Sequence, residues 1–124
     1  MLQVKALLHV LSLASAFLAA ETWAANGFVK GQVEFVRTHE SSFSAAWVPP
    51  KFWFSLKGVT QAGSCTKWVN GSVLIVADDK QALSIVLMAQ ATGSEVAVAY
   101  DDTVLMNGLC LGQYITIGNP APAY

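Results

Sequence analysis

One stretch constrains this chain more than any other: residues 80–91, a run without Gly or Pro set between segments that otherwise alternate with a period of two. Asp78 or Asp79 stands where a helix N-cap is needed, and Gly93 stands where a left-handed C-terminal stop is needed. The spacing therefore predicts a single helix over Lys80 to Ala91. At 100° per residue, Ala82, Leu83, Ile85, Val86, Leu87 and Ala89 cover an arc of roughly 200°, with Met88 beyond it. A helix packed on one sheet needs about half that arc. The excess calls for a second buried surface: another subunit, with Ile85, Met88 and Ala89 as interface candidates, or the N-terminal segment and loops of the same chain.

The rest of the chain reads as short strands. Val29, Val33 and Phe35 share one face of Phe28 to Arg37, and Lys30, Gln32 and Glu34 share the other. Polar and small residues follow from Thr38 to Val48, closed by Pro49 and Pro50. Lys51 to Lys57 alternates again, with Phe52, Phe54 and Leu56 opposite Lys51, Trp53, Ser55 and Lys57. A third β segment spans about Cys65 to Ala77, broken near Asn70-Gly71. After the helix come Val96 to Tyr100, a turn at Asn107-Gly108, and a last strand from Leu111 to Gly118. The order β-β-β-α-β-β in about 100 residues matches a mainly β fold, a five-stranded small barrel of the OB type.

The N-terminus has the zones of a secretory signal. Met1 to Lys5 carries a positive charge, Ala6 to Leu18 is an apolar run, and Thr22 and Ala24 occupy the −3 and −1 positions of a cut before Ala25. The apolar run is short for about 30 Å of hydrocarbon, so cleavage is expected, with an uncleaved anchor as the alternative. The expected organisation is a signal at 1–24, one domain at 25–118 and a flexible tail at 119–124. The mature chain would be periplasmic or secreted, with no membrane span. Its six cations, Lys30, Arg37, Lys51, Lys57, Lys67 and Lys80, face seven carboxylates. No basic stripe exists to meet a phosphate backbone, so nucleic acid is not an expected partner. In an oxidising compartment Cys65 and Cys110 are most simply one structural disulfide. A metal site or redox pair would want CxxC spacing or clustered histidines, and the sequence has neither.

Catalysis finds little to build on. Past the signal, His39 is the single histidine, and it lies in a polar loop, Thr38-His39-Glu40-Ser41-Ser42. There is no GxSxG elbow and no phosphate-cradling glycine motif. Asp78-Asp79 and Asp101-Asp102 are adjacent pairs, whose side chains diverge; capping explains the first and a strand-end turn the second. No cofactor is expected and the chain reads as non-catalytic. Binding has more support. Trp53 falls on the polar face of its strand, where an exposed ring could stack on a sugar; packing beneath the 38–48 loop or in a subunit interface is the alternative. Phe43 and Trp47 stand in or beside the same loop, with Thr38, His39, Ser41 and Ser42 as polar neighbours. Trp68 is expected in the core beside the disulfide.

Taken together, Phe-Val-Lys-Gly-Gln-Val at 28–33, the aromatic strand from Lys51 to Leu56, Cys65, the helix ending in Ala91-Thr92-Gly93-Ser94 and the strand Val96 to Tyr100 resemble the B subunits of AB5 toxins of the subtilase-cytotoxin and typhoid-toxin type. The resemblance implies an exported OB-fold subunit, a pentameric homo-oligomer and glycan recognition. Where those subunits carry a sugar-contacting serine on the first strand, this chain has Lys30, which joins the candidate ligand residues on that basis. The contrasting expectation is a periplasmic structural or inhibitor-like protein that binds an exported protein through a sheet edge or loop.

Overall fold

The computed structural model describes residues 26–118; the expected signal and C-terminal tail lie outside them. The elements are β1 (Asn26–Thr38), a 3-10 turn (Ala45–Trp47), β2 (Lys51–Leu56), β3 (Ile75–Asp78), α1 (Lys80–Thr92), β4 (Glu95–Met106) and β5 (Leu109–Ile117). The five strands form one sheet in the order β1-β2-β3-β5-β4, and β1 pairs with β4, so the order closes on itself. All ladders are antiparallel except β3 with β5, a parallel contact of two pairs, Ile75 with Cys110 and Val76 with Leu111. The chain is mainly β with one helix, as expected.

β1 serves two neighbours in turn. Asn26 to Gln32 pairs with β4, and Val33 to Thr38 pairs with β2. At the handover, Val33 lies opposite Leu56 and Phe35 opposite Ser55, so Glu34 is an extra residue on β1. Such a bulge exchanges faces beyond it. Val29, Val33 and Val36 therefore belong to the inner core, while Phe35 packs on the outer cluster. The common face expected for Val29, Val33 and Phe35 is broken at this point.

Inside the ring, Phe52, Phe54 and Leu56 of β2 meet Ile75 and Ala77 of β3, Val96, Val98 and Tyr100 of β4, and Val86 and Ala89 of α1. Tyr100 lies across Gly27: a Cβ there would fall 2.1 Å from its hydroxyl oxygen. Helix α1 starts where Asp79 accepts a 2.8 Å hydrogen bond from Ala82 N–H. It ends at Gly93, whose φ of 69° lets its N–H donate to Ala89 O. Its wide apolar arc is met partly by the sheet: Val86 and Ala89 are buried, Ala82, Leu83 and Ile85 half-buried, and Leu87 and Met88 exposed. Ala89 is fully enclosed by its own chain and offers nothing to another subunit, because the helix leans on β1 and β5 along that side.

The disulfide joins Cys65 to Cys110 across 45 residues. Closing a loop of that length stabilises by about 4 kcal/mol in the chain-entropy model. It pins the segment after β2 to the start of β5. That segment contributes less strand than the sequence suggests: an isolated bridge, Lys67 with Val73, flanks a turn at Gly71, and the ladder begins only at Ile75. The Asp101-Asp102 pair stands within β4, at a register irregularity, and not at a strand end. Asp101 accepts from Thr103 N–H at 2.8 Å, and Asp102 accepts from Ser64 N–H at 2.9 Å.

Candidate ligand-binding site

Outward-facing side chains of β1 and β2 build an aromatic cluster on the outer surface of the sheet. Trp53 is its centre and is only 5% exposed. Phe35 meets it edge-on at 5.6 Å, and Trp68 lies tilted against it at 5.3 Å. Leu74, Val76 and Leu109 complete the surrounding apolar surface. Arg37, the cross-strand partner of Trp53, holds its guanidinium carbon 4.6 Å from that ring and 5.5 Å from Trp68. A guanidinium over indole faces is favourable through the ring quadrupole and leaves the rim of the fork available to a ligand oxygen.

The loop after β1 closes over one side. His39 is stacked between Phe43, at 5.5 Å, and Trp47, at 5.3 Å, with Trp53 at 6.4 Å. Its Nδ1 is buried and finds no hydrogen-bond partner among the described residues. Glu40 organises the turn: it accepts from Ser42 N–H at 2.9 Å, from Ser41 Oγ at 3.0 Å and from Ser42 Oγ. These bonds, those from Ser42 first, hold its carboxyl below the ordinary range. Ser44 caps the 3-10 turn, and Asn107 donates from Nδ2 to Ala46 O at 2.5 Å. Asn107 and Gly108, both at positive φ, form the tight β4–β5 turn. The β1–β2 loop and the β4–β5 turn thus meet at one end of the sheet.

Beside Trp68, Glu34 at the bulge accepts from Ser72 Oγ at 2.6 Å and Ser55 Oγ at 2.8 Å. These two bonds, Ser72 first, lower its pKa. The bulge that turns Phe35 outward also sets this carboxylate over two buried hydroxyls.

Of the expected ligand residues, His39, Phe43 and Trp47 are brought together on Trp53. Thr38 is exposed at the end of β1. Ser41 and Ser42 spend their hydroxyls on Glu40. Trp53 is a buried floor and not the exposed platform considered for it: the loop packs over it. Lys30 is elsewhere, eight residues or about 25 Å back along β1, facing Glu95 at 3.7 Å. Two residues of the cluster, Trp68 and Arg37, are not among the expected ligand residues. Trp68, expected in the core, is 38% exposed, because the segment after β2 folds back onto the outer face. Arg37 is recognisable only once the register sets it opposite Trp53.

Away from this cluster, a concavity of about 400 Å³ lies between the start of α1, the end of β3 and β5, with Asp78, Gln81, Ile85, Met106 and Tyr114 among its walls. Among the described residues no group of three His, Cys, Asp or Glu is placed to hold a metal ion, and no helix is long and apolar enough to cross a membrane. Compared with known proteins, the chain matches no family model, no curated sequence and no solved structure.

Proposed function

We propose that the protein is an exported, non-catalytic binding module with an OB-type barrel, and that it binds a glycan at the Trp47–Trp53–Trp68 face. The closed strand order, the parallel β3–β5 contact and the helix between β3 and β4 support the OB assignment. In that architecture the face of strands 2 and 3, with the loops after strands 1 and 4, is a common site for oligosaccharides. The observation that carries the reading is the rim of the cluster: above the buried Trp53, the exposed Trp68 and half-buried Trp47 offer indole to the apolar side of a sugar, with Arg37 beside Trp68 for its oxygens. The resemblance to AB5 toxin B subunits points to the same ligand class and to a pentamer, and exposed Leu87 and Met88 on α1 supply unpartnered apolar surface for self-association.

Screening on a glycan array, followed by titration monitored through tryptophan fluorescence, tests the ligand. Specific binding that falls about tenfold in Trp47→Ala is expected; silence across the array from folded protein overturns it. Light scattering of the mature protein should show a multimer, and a monomer at high concentration removes the oligomer from the proposal. A protein partner is the second reading, and one observation favours it. The β3–β5 ladder ends at Leu111, leaving the edge of β5 from Gly112 onward beside the 400 Å³ cleft, where an extended segment could add as a strand.

A further inference from the structure

Glu34, the extra residue of the β1 bulge, is anchored through one of its two oxygens. Ser55 and Ser72 are both buried, Ser55 completely, and both donate to Oε2, at 2.8 and 2.6 Å. The second oxygen, Oε1, accepts from neither serine, and Glu34 itself is exposed. These bonds, Ser72 first, with a lesser one from the Asn70 side chain, hold the carboxyl below its ordinary range. Near neutral pH it is therefore ionised and can only accept. A carboxylate already fixed by one oxygen loses little further freedom when a donor reaches the other.

That acceptor stands beside the exposed indole. Trp68 lies on Trp53, and Ser72, whose carbonyl accepts from Trp68 N–H at 2.8 Å, brings its hydroxyl to Glu34. Trp53 and Ser55 are two residues apart on the outward face of β2, about 7 Å along the strand. The groups lying over them, the Trp68 indole and the Glu34 carboxylate, are thus set about one sugar ring apart. Arg37, three residues further along β1, holds its guanidinium carbon 5.5 Å from the Trp68 centroid. Arg37 can only donate and Glu34 can only accept. Sugar hydroxyls satisfy both, whereas a carboxylate or sulfate offers Glu34 no proton and repels it. The charges of this face also balance, Arg37, Lys51 and Lys57 against Glu34, Glu40 and Asp78, so no net field draws an acidic glycan.

Resting on the glycan reading above, we propose that the ligand is a neutral pyranose laid on Trp68, its hydroxyls donating to Glu34 Oε1 and a further oxygen accepting from Arg37. Glu34 then sets the sugar class. An array of neutral hexose-terminated oligosaccharides beside their sialylated, glucuronylated and sulfated counterparts tests it, and the tightest neutral binder is then titrated against Glu34 variants. Neutral glycans should bind, and their acidic counterparts at least about tenfold more weakly. Glu34→Gln keeps an oxygen for the two serines, and the neutral sugar should bind it about tenfold less tightly. Glu34→Asp, which keeps the charge but withdraws the carboxylate, should lose binding likewise. Removing the sugar hydroxyls one at a time should weaken binding to the parent chain at a position where it no longer matters in Glu34→Gln, a coupling that a merely structural carboxylate would not produce. Preference for an acidic counterpart, or neutral binding undiminished in both variants, overturns the proposal and leaves the glycan reading standing. Silence across the whole array from folded protein removes both.

Discussion

The two faces of this sheet are built from the same strands and behave differently. Inside the ring, Phe52, Phe54, Leu56, Val96 and Val98 are enclosed on all sides, held further by the helix and the disulfide. Outside, Trp53, Phe35 and Val76 are covered by a loop and by Trp68, and the Arg37 guanidinium stands against the indoles. The inner face uses aliphatic and phenyl groups that need nothing but contact. The outer face uses indoles, an imidazole and a guanidinium, groups that keep a polar edge and can exchange one partner for another. The lesson is a division of chemistry: the inner face is built for packing, and the outer face holds the polar-edged groups to which the proposed recognition is assigned.

Substitutions can break or sharpen that contrast. The largest effect is expected from Phe54→Ala, which empties a fully buried ring site and should cost about 3–5 kcal/mol in urea unfolding. Replacing Cys65 and Cys110 together by Ala should cost about 2–4 kcal/mol without altering the rest of the fold. Gly27→Ala must displace the Tyr100 ring and should cost about 1–3 kcal/mol, read as a lowered Tm. Trp47→Ala should cost less stability than any of these, about 1 kcal/mol, while the sugar titration loses about tenfold. Were Trp47→Ala to unfold the protein as readily as Phe54→Ala, the division between faces would fall.

The smallest effect concerns pH. Glu34 and Glu40 have carboxyls held below their ordinary range by serine hydrogen bonds. A carboxyl lowered in the folded state contributes stability above its unfolded pKa, and that contribution is lost as pH falls through the folded value. Stability should therefore decline as pH drops through and below the ordinary carboxylate range, about 4.3 for Glu. Glu34→Gln should flatten that decline, measured by denaturation at a series of acid pH values; an unchanged slope would show that the bulge carboxylate adds nothing.

The aromatic site was only half legible in the sequence. His39, Phe43 and Trp47 lie within nine residues, and a loop dense in rings invites attention. Arg37 and Trp68 carried no comparable signal. Arg37 looks like any strand charge until it is set across from Trp53, and Trp68 looks like core because it follows Cys65 so closely. Lys30 enters only through the resemblance to AB5 toxin B subunits, and the fold carries that residue to the far half of β1.

What the sequence determined by itself is everything governed by neighbours a few residues apart. The helix has its Asp79 cap and Gly93 stop, the β4–β5 turn has its Asn-Gly pair, β2 has its alternation, and two cysteines had one partner each. Only the tertiary structure decided the register. Placing Glu34 as a bulge turned Phe35 outward and Val36 inward, leaning α1 on β1 and β5 enclosed Ala89, and folding the segment after β2 outward delivered Trp68 to Trp53. The physical reason is that backbone preference acts over one turn of chain, whereas register and loop return are set by which distant side chains can fill the same space.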